Sequence, residues 1–217
     1  MLLSLVHLLL YSFVYAAPRP TVHKRESSGP LWDINPVCSD LRQTSIGNCW
    51  FDASMCVLAK SNPEDLISKV KYSGDVTKVS SANFTVCDNS SNPHSEVVSF
   101  SDATFSGDGE SSGKKAWWPA GFQRAALQMG IASSYNGQAP GEDASGKWLG
   151  SSGATGLMIL TGISAVDELP DAADAFIMLR KSDWTPIIFE TVPKNTKKLV
   201  ANHAYAVMTT RVDGSKN

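Results

Sequence analysis

The sequence predicts an α+β fold, with a helical first part and an antiparallel β-rich last part. Three observations predict it. Residues 48–60 and 117–129 carry apolar side chains at helical spacing. Residues 186–192 and 199–211 are β-prone runs separated by the polar turn 194–198. Between the two parts, residues 133–156 are rich in Gly, Ser, Asn and Pro, which reads as a hinge. The expected organisation is a helical unit over 31–135 and a β-rich unit over 150–217.

The elements follow in chain order. Residues 1–17 read as a secretory signal peptide: 2–14 are almost wholly apolar, too short to span a bilayer comfortably, and Val14 and Ala16 offer a small-residue cleavage site. The competing reading is a membrane anchor. Residues 18–30 hold three prolines and the dibasic pair Lys24-Arg25, and read as a leader or linker. The helix opened near Asn48 is expected to run to about Lys60, with Trp50, Phe51, Val57 and Leu58 in the core. Asn62-Pro63-Glu64-Asp65 then predicts a second helix start: a capping asparagine, proline in the first turn and acidic residues suited to the dipole, with an end near Val70.

Residues 72–113 change to short β-prone pieces, 83–87 and 97–100, among turn-forming residues. Gly107-Asp108-Gly109-Glu110 lacks a full set of spaced oxygen ligands for calcium and reads as a turn. In 117–129, Trp118, Phe122, Ala126 and Met129 share one helical face and Gly130 is the stop. A further helix is expected over 171–180, acidic early and basic late.

Net charge is −2, with no basic stripe, which argues against nucleic-acid binding. No later segment is long and apolar enough to cross a membrane, so no membrane association is expected once the signal is removed. Localisation is read as secreted and extracellular. Two sequons, Asn83-Phe84-Thr85 and Asn89-Ser90-Ser91, fit glycosylated surface loops. The four cysteines lie at 38, 49, 56 and 87. If Cys49 is catalytic, three remain for one disulfide and one free thiol. Cys38 with Cys87 is the preferred pair; Cys56 is either core or the partner of Cys87.

The stretch 40–60 carries the chemistry. A cysteine at a helix start sees the positive end of the dipole and unpaired backbone N–H groups, which favour thiolate over thiol. Gln43, six residues before Cys49, is close enough to fold back and donate to an oxyanion together with the Cys49 N–H. Gly47 permits the tight approach. His203 supplies the imidazole that takes the thiol proton and later protonates the leaving amine. Its rivals sit in the signal peptide (His7), the leader (His23) and an Asn/Ser-rich loop (His94).

The pattern Asp40-x-x-Gln43-x-x-x-Gly47-x-Cys49-Trp50 resembles the catalytic-helix signature of calpain-type cysteine proteases, within the papain-like group. The string His203-Ala204-Tyr205-x-Val207 closely resembles the calpain histidine motif. Two looser likenesses are the tryptophan-led helix at 117–129, where Gln123 and Arg124 replace the usual acidic and lysine positions, and 156–162, which resembles the Leu-Thr-Gly region opening the second subdomain. The resemblance implies a papain-like fold, with a helical half carrying Cys49, an antiparallel β half carrying His203, and protein or peptide substrates in the cleft between.

The resemblance also implies an orienting asparagine in an Asn-Pro motif, and none follows His203 before Asn217. The expectation is therefore an incomplete β half. Asn202, expected on the opposite face of the strand from His203, is a poor substitute. Animal calpains use calcium to align their halves; calcium enters here by resemblance alone, and the chemistry itself needs no cofactor. Two alternatives stand beside the endopeptidase: a catalytically impaired homologue acting as a secreted binding protein, and an acyl transferase of the transglutaminase kind. Oligomeric state is not read from the sequence.

Overall fold

The computed structural model describes residues 27–43, 47–105, 116–130, 151–166, 168, 172–182, 184–191 and 198–210. The signal peptide, most of the leader, the Gly107–Glu110 turn, most of the hinge and Asn217 lie outside the described residues. Among the described residues the chain is α+β, with two small antiparallel sheets.

Helix α1 (Cys49–Ser61) is buried along almost its whole length, from Trp50 to Ala59. Few polar side chains interrupt it, so it packs on every side rather than along one stripe. Short helix α2 (Pro63–Ile67) follows. Proline at its first position fits, but the Asn62 side chain makes no capping bond. The helix also ends earlier than expected, because Val70 already opens strand β1 (Val70–Tyr72).

Strands β2 (Ser81–Cys87) and β3 (Pro93–Ser99) complete a three-stranded sheet in the order β1-β2-β3. Both β-prone pieces are present, and longer than expected. In β2 the inward residues Ala82, Phe84 and Val86 alternate with partly exposed ones, as the two-residue period of a one-sided sheet requires. Phe100 leaves the sheet and opens helix α3 (Phe100–Phe105). Helix α4 (Trp118–Gln128) closes over β2: Phe84 meets Phe122 edge-on at 5.1 Å between ring centres, and Trp117 at 5.5 Å. Gly121 is required there, since any Cβ would overlap the Phe84 ring. Gly130, at φ 63°, ends the helix as expected.

Helix α5 (Gly153–Thr161) corresponds to the Leu-Thr-Gly stretch and lies against α1. Gly156 lets the backbones approach: a Cβ there would overlap Ser54 Oγ and come within 3.1 Å of the Trp50 carbonyl oxygen. Helix α6 (Ala172–Leu179) matches the helix expected over 171–180. The last sheet is far smaller than the β-prone runs imply, two strands of three residues, β4 (Ile188–Glu190) and β5 (Ala204–Ala206). They pair antiparallel as Ile188 with Ala206, Phe189 with Tyr205 and Glu190 with Ala204.

The disulfide joins Cys38 to Cys56, which corrects the preferred pairing with Cys87. Two turns along α1 from Cys49, Cys56 lies beside the 3-10 turn Cys38–Asp40, with Cα atoms 4.4 Å apart. Cys87 is free and buried at the end of β2, close under Gly162. Its burial pushes the thiol pKa up, which disfavours the thiolate. Among the described residues no helix is long and apolar enough to cross a membrane.

Candidate active site

Cys49 is the first residue of α1, where the sequence places it. The carbonyl of Asn48 accepts from the N–H groups of Phe51 and Asp52, at 2.9 and 3.0 Å, so the first turn is formed immediately after the cysteine. The Asn48 side chain does not cap the helix. Cys49 itself is half-buried, with a free thiol packed at the margin of the core.

The segment leading to Gln43 is anchored twice. One anchor is the Cys38–Cys56 disulfide. The other is Asp40, buried, whose Oδ2 accepts from the Val37 N–H at 3.2 Å and from Trp118 Nε1 at 2.8 Å. Gln43, half-buried, leaves this anchored turn only three residues later. Residues 44–46, between Gln43 and Cys49, lie outside the described residues. Asp40 opens the quoted pattern, but its polar neighbours Ser39, Arg42 and Gln43 give no sign in the sequence that its carboxylate is buried.

The other half of the site is brought up by contacts along α1. Lys60 Nζ donates to the Ser182 carbonyl at 2.7 Å, and Thr210 Oγ1 to the Leu179 carbonyl at 3.2 Å. Met208 Sδ lies 3.4 Å from Cys56 Sγ. Nearer the start of the helix, Ser54 Oγ donates to the Trp50 carbonyl at 2.7 Å and lies 3.1 Å from the Gly153 carbonyl. The Gly153 N–H donates to Glu190, which is paired with Ala204. The segment after His203 is thus joined to α1 at two points, Met208 at Cys56 and Ala204, through Glu190 and Gly153, at Ser54.

The faces of the small sheet are distinct. Ile188, Ala204 and Ala206 pack against the core, while Phe189 is about half exposed on the other side. The His203 ring meets Tyr205 edge-on, 4.6 Å between centres, and so belongs to the outer side. Among the described residues no hydrogen bond joins Cys49 to His203. His203 precedes β5 rather than lying within it. Asn202 is likewise outside the strand, in left-handed backbone at φ 50°, so the expected strand-face relation between the two residues does not apply.

A buried acid lies one turn beyond the nucleophile. Asp52 accepts from Gln123 Nε2 at 2.6 Å, and its burial pushes its pKa up to about 7 against that hydrogen bond. Gln123 therefore has a defined partner, a polar link between α1 and α4 at the position where the family resemblance is loose.

The two sequons differ. Asn83 is in the central strand β2, not a loop, and its Oδ1 is buried without a partner. Asn89 is exposed in the turn between β2 and β3. His94, which the sequence sets in a loop, is in β3, where it bonds Asp88 at 3.1 Å. As for calcium, no three His, Cys, Asp or Glu side chains converge among the described residues.

Comparison with protein-family models finds no match, and comparison with curated proteins finds none either.

Proposed function

We propose that this chain is a secreted cysteine endopeptidase of the calpain type with a papain-like fold. The observation that carries the reading is Cys49 as the first residue of a buried helix that also carries the segment after His203, through Met208 at Cys56 and through Glu190 and Gly153 at Ser54. The motifs at 40–50 and 203–207 support it, and the Cys38–Cys56 disulfide supports an oxidising compartment.

In this reading the Cys49 thiol gives its proton to the His203 imidazole, and the thiolate attacks the scissile carbonyl carbon. The carbonyl electrons move onto oxygen, held by the Cys49 N–H and the Gln43 amide. The intermediate collapses with cleavage of the C–N bond, and the imidazolium protonates the leaving amine. Water, deprotonated by His203, then hydrolyses the thioester. To meet the thiol, the imidazole comes over the N-terminal edge of β5, because the face toward α1 is filled by Ala204 and Ala206. Catalytic hydrogen bonds often tighten only when substrate is bound.

The second reading is an impaired homologue acting as a secreted binding protein. The observation favouring it is the His203 ring packed on Tyr205 with no hydrogen bond to Cys49. Hydrolysis of a denatured protein substrate separates the two. The endopeptidase predicts cleavage that Cys49→Ala and His203→Ala each reduce at least about a thousandfold, whereas Cys87→Ala leaves it within about twofold. Absence of cleavage by the wild-type secreted protein favours the binding protein. Incorporation of an added amine in place of hydrolysis turns the assignment to the acyl transferase.

A further inference from the structure

The connection between β4 and β5 is closed by side-chain hydrogen bonds. Thr191 follows β4 directly and is buried. Its Oγ1 donates to the Val200 carbonyl at 2.6 Å and accepts from the His203 N–H at 3.0 Å. Its backbone N–H donates to the His203 carbonyl at 3.0 Å. A hydroxyl serves both roles at once because it carries one proton and two lone pairs. From the other side, the Tyr205 hydroxyl accepts from the Val200 N–H at 2.9 Å. Between these bonds Asn202 is held at φ 50°, a conformation that residues other than glycine adopt infrequently.

These bonds fix both peptide groups of His203, and therefore the origin of its side chain. A three-residue strand supplies little of that on its own: regular pairing stops at Ala204. Thr191 continues the pairing by one residue, its backbone N–H on the His203 carbonyl and its hydroxyl on the His203 N–H, where the chain turns out of the sheet. Packing does not substitute for them, since Leu199 and Val200 are 44% and 63% exposed.

We propose that Thr191 is a positioning residue for His203, holding the histidine backbone so that the imidazole reaches the Cys49 thiol. The proposal rests on the reading of Cys49 and His203 as a working pair. Thr191 touches neither substrate nor thiol in this role. The hydroxyl is the operative group, so serine substitutes for it and valine, nearly the same shape, does not.

The test is the pH dependence of Cys49 alkylation by iodoacetamide in the oxidised, reductant-free protein, with Cys49→Ala as the blank for Cys87. A thiol paired with an imidazole reacts well below the ordinary thiol range of about 8.5. Thr191→Val is expected to raise the midpoint by about one pH unit, which is about a tenfold loss of rate below the midpoint. Thr191→Ser is expected to restore the midpoint. A purely structural role would lower the melting temperature of Thr191→Val and leave the midpoint in place, and that result overturns the proposal. His203→Ala separates the two levels. If it shifts the midpoint and Thr191→Val does not, the pair stands and the role of Thr191 falls; if it shifts nothing, both fall. Should Thr191→Val fail to fold, Thr191→Ala takes its place. It removes the same hydroxyl and adds no methyl in its place, and an unchanged midpoint there overturns the proposal equally.

Discussion

The region around β1–β3, α1 and α4 and the region around α6, β4 and β5 are held together by different means. In the first, Trp50, Phe51, Phe84, Trp117, Trp118 and Phe122 are fully buried, and their rings interlock edge-on. In the second, Val166, Trp184, Phe176 and Phe189 are 77%, 70%, 47% and 47% exposed. Its geometry is carried by individual polar bonds: Thr191 to His203 and Val200, Lys60 to Ser182, Glu190 to Gly153. The difference teaches that the proposed nucleophile and the proposed base are secured unequally. Cys49 is built on a packed scaffold, whereas His203 depends on a few hydrogen bonds, each worth only about 1 kcal/mol net.

The sharpest way to break this contrast is a pair of truncations. Phe84→Ala removes a ring at the centre of the aromatic cluster and is expected to cost about 3–5 kcal/mol. Phe189→Ala, half exposed, is expected to cost under about 1 kcal/mol. Urea unfolding of both variants measures this, and similar losses would erase the contrast.

Next in size is the disulfide. For Cys56 as a core residue or a partner of Cys87, the expectation is that Cys56→Ala leaves catalysis largely intact. With Cys56 bonded to Cys38 across a separation of 18 residues, Cys56→Ala is expected in addition to lower stability by about 3 kcal/mol. It also releases one of the two anchors before Gln43. Thermal unfolding of Cys56→Ala beside Cys87→Ala checks this, and the expected order is a large loss for the first and a smaller one for the second.

The third prediction concerns Asp52 and runs opposite to the usual acid sensitivity of carboxylates. Its folded pKa, about 7, is raised above the ordinary 3.8 by burial. The folded state therefore holds the proton more tightly than the unfolded chain. That contribution is fully present below the ordinary value and is lost as pH rises through about 7, with a slope near 1.4 kcal/mol per pH unit in between. Asp52→Asn is expected to flatten the fall in stability between about pH 5 and 7, read from urea midpoints. A wild-type protein with no such fall would show that Asp52 stays ionised in the fold. Asp88 is the counter-example within the same region. His94 first, then Asn92 and Ser90, hold its pKa down, so its contribution is present above the ordinary carboxylate pKa and is lost as the solution is acidified.

What was legible follows from how local each signal is. The start of α1 at Cys49, the inward alternation of β2 and the stop at Gly130 were readable because each depends on a few adjacent residues. The Cys38–Cys56 bond, the anchor between Asp40 and Trp118, and the clasp of Thr191 on His203 were not. They join residues 18, 78 and 12 positions apart, and nothing in the flanking sequence marks the partner. The β-prone run 199–211 failed for a related reason. Val and Tyr favour strands wherever a neighbour exists to pair with, but among the described residues strand pairing with β4 is confined to Ala204–Ala206.

The sequence by itself determined which residue types are available for chemistry and where the principal helices begin, because helix starts and apolar periods are short-range properties of the chain. Only the tertiary structure decided which face of the small sheet His203 occupies, which thiols are bonded and which carboxyl is pushed toward neutrality. Those outcomes depend on burial and on partners distant in the chain, and neither exists until the chain has folded.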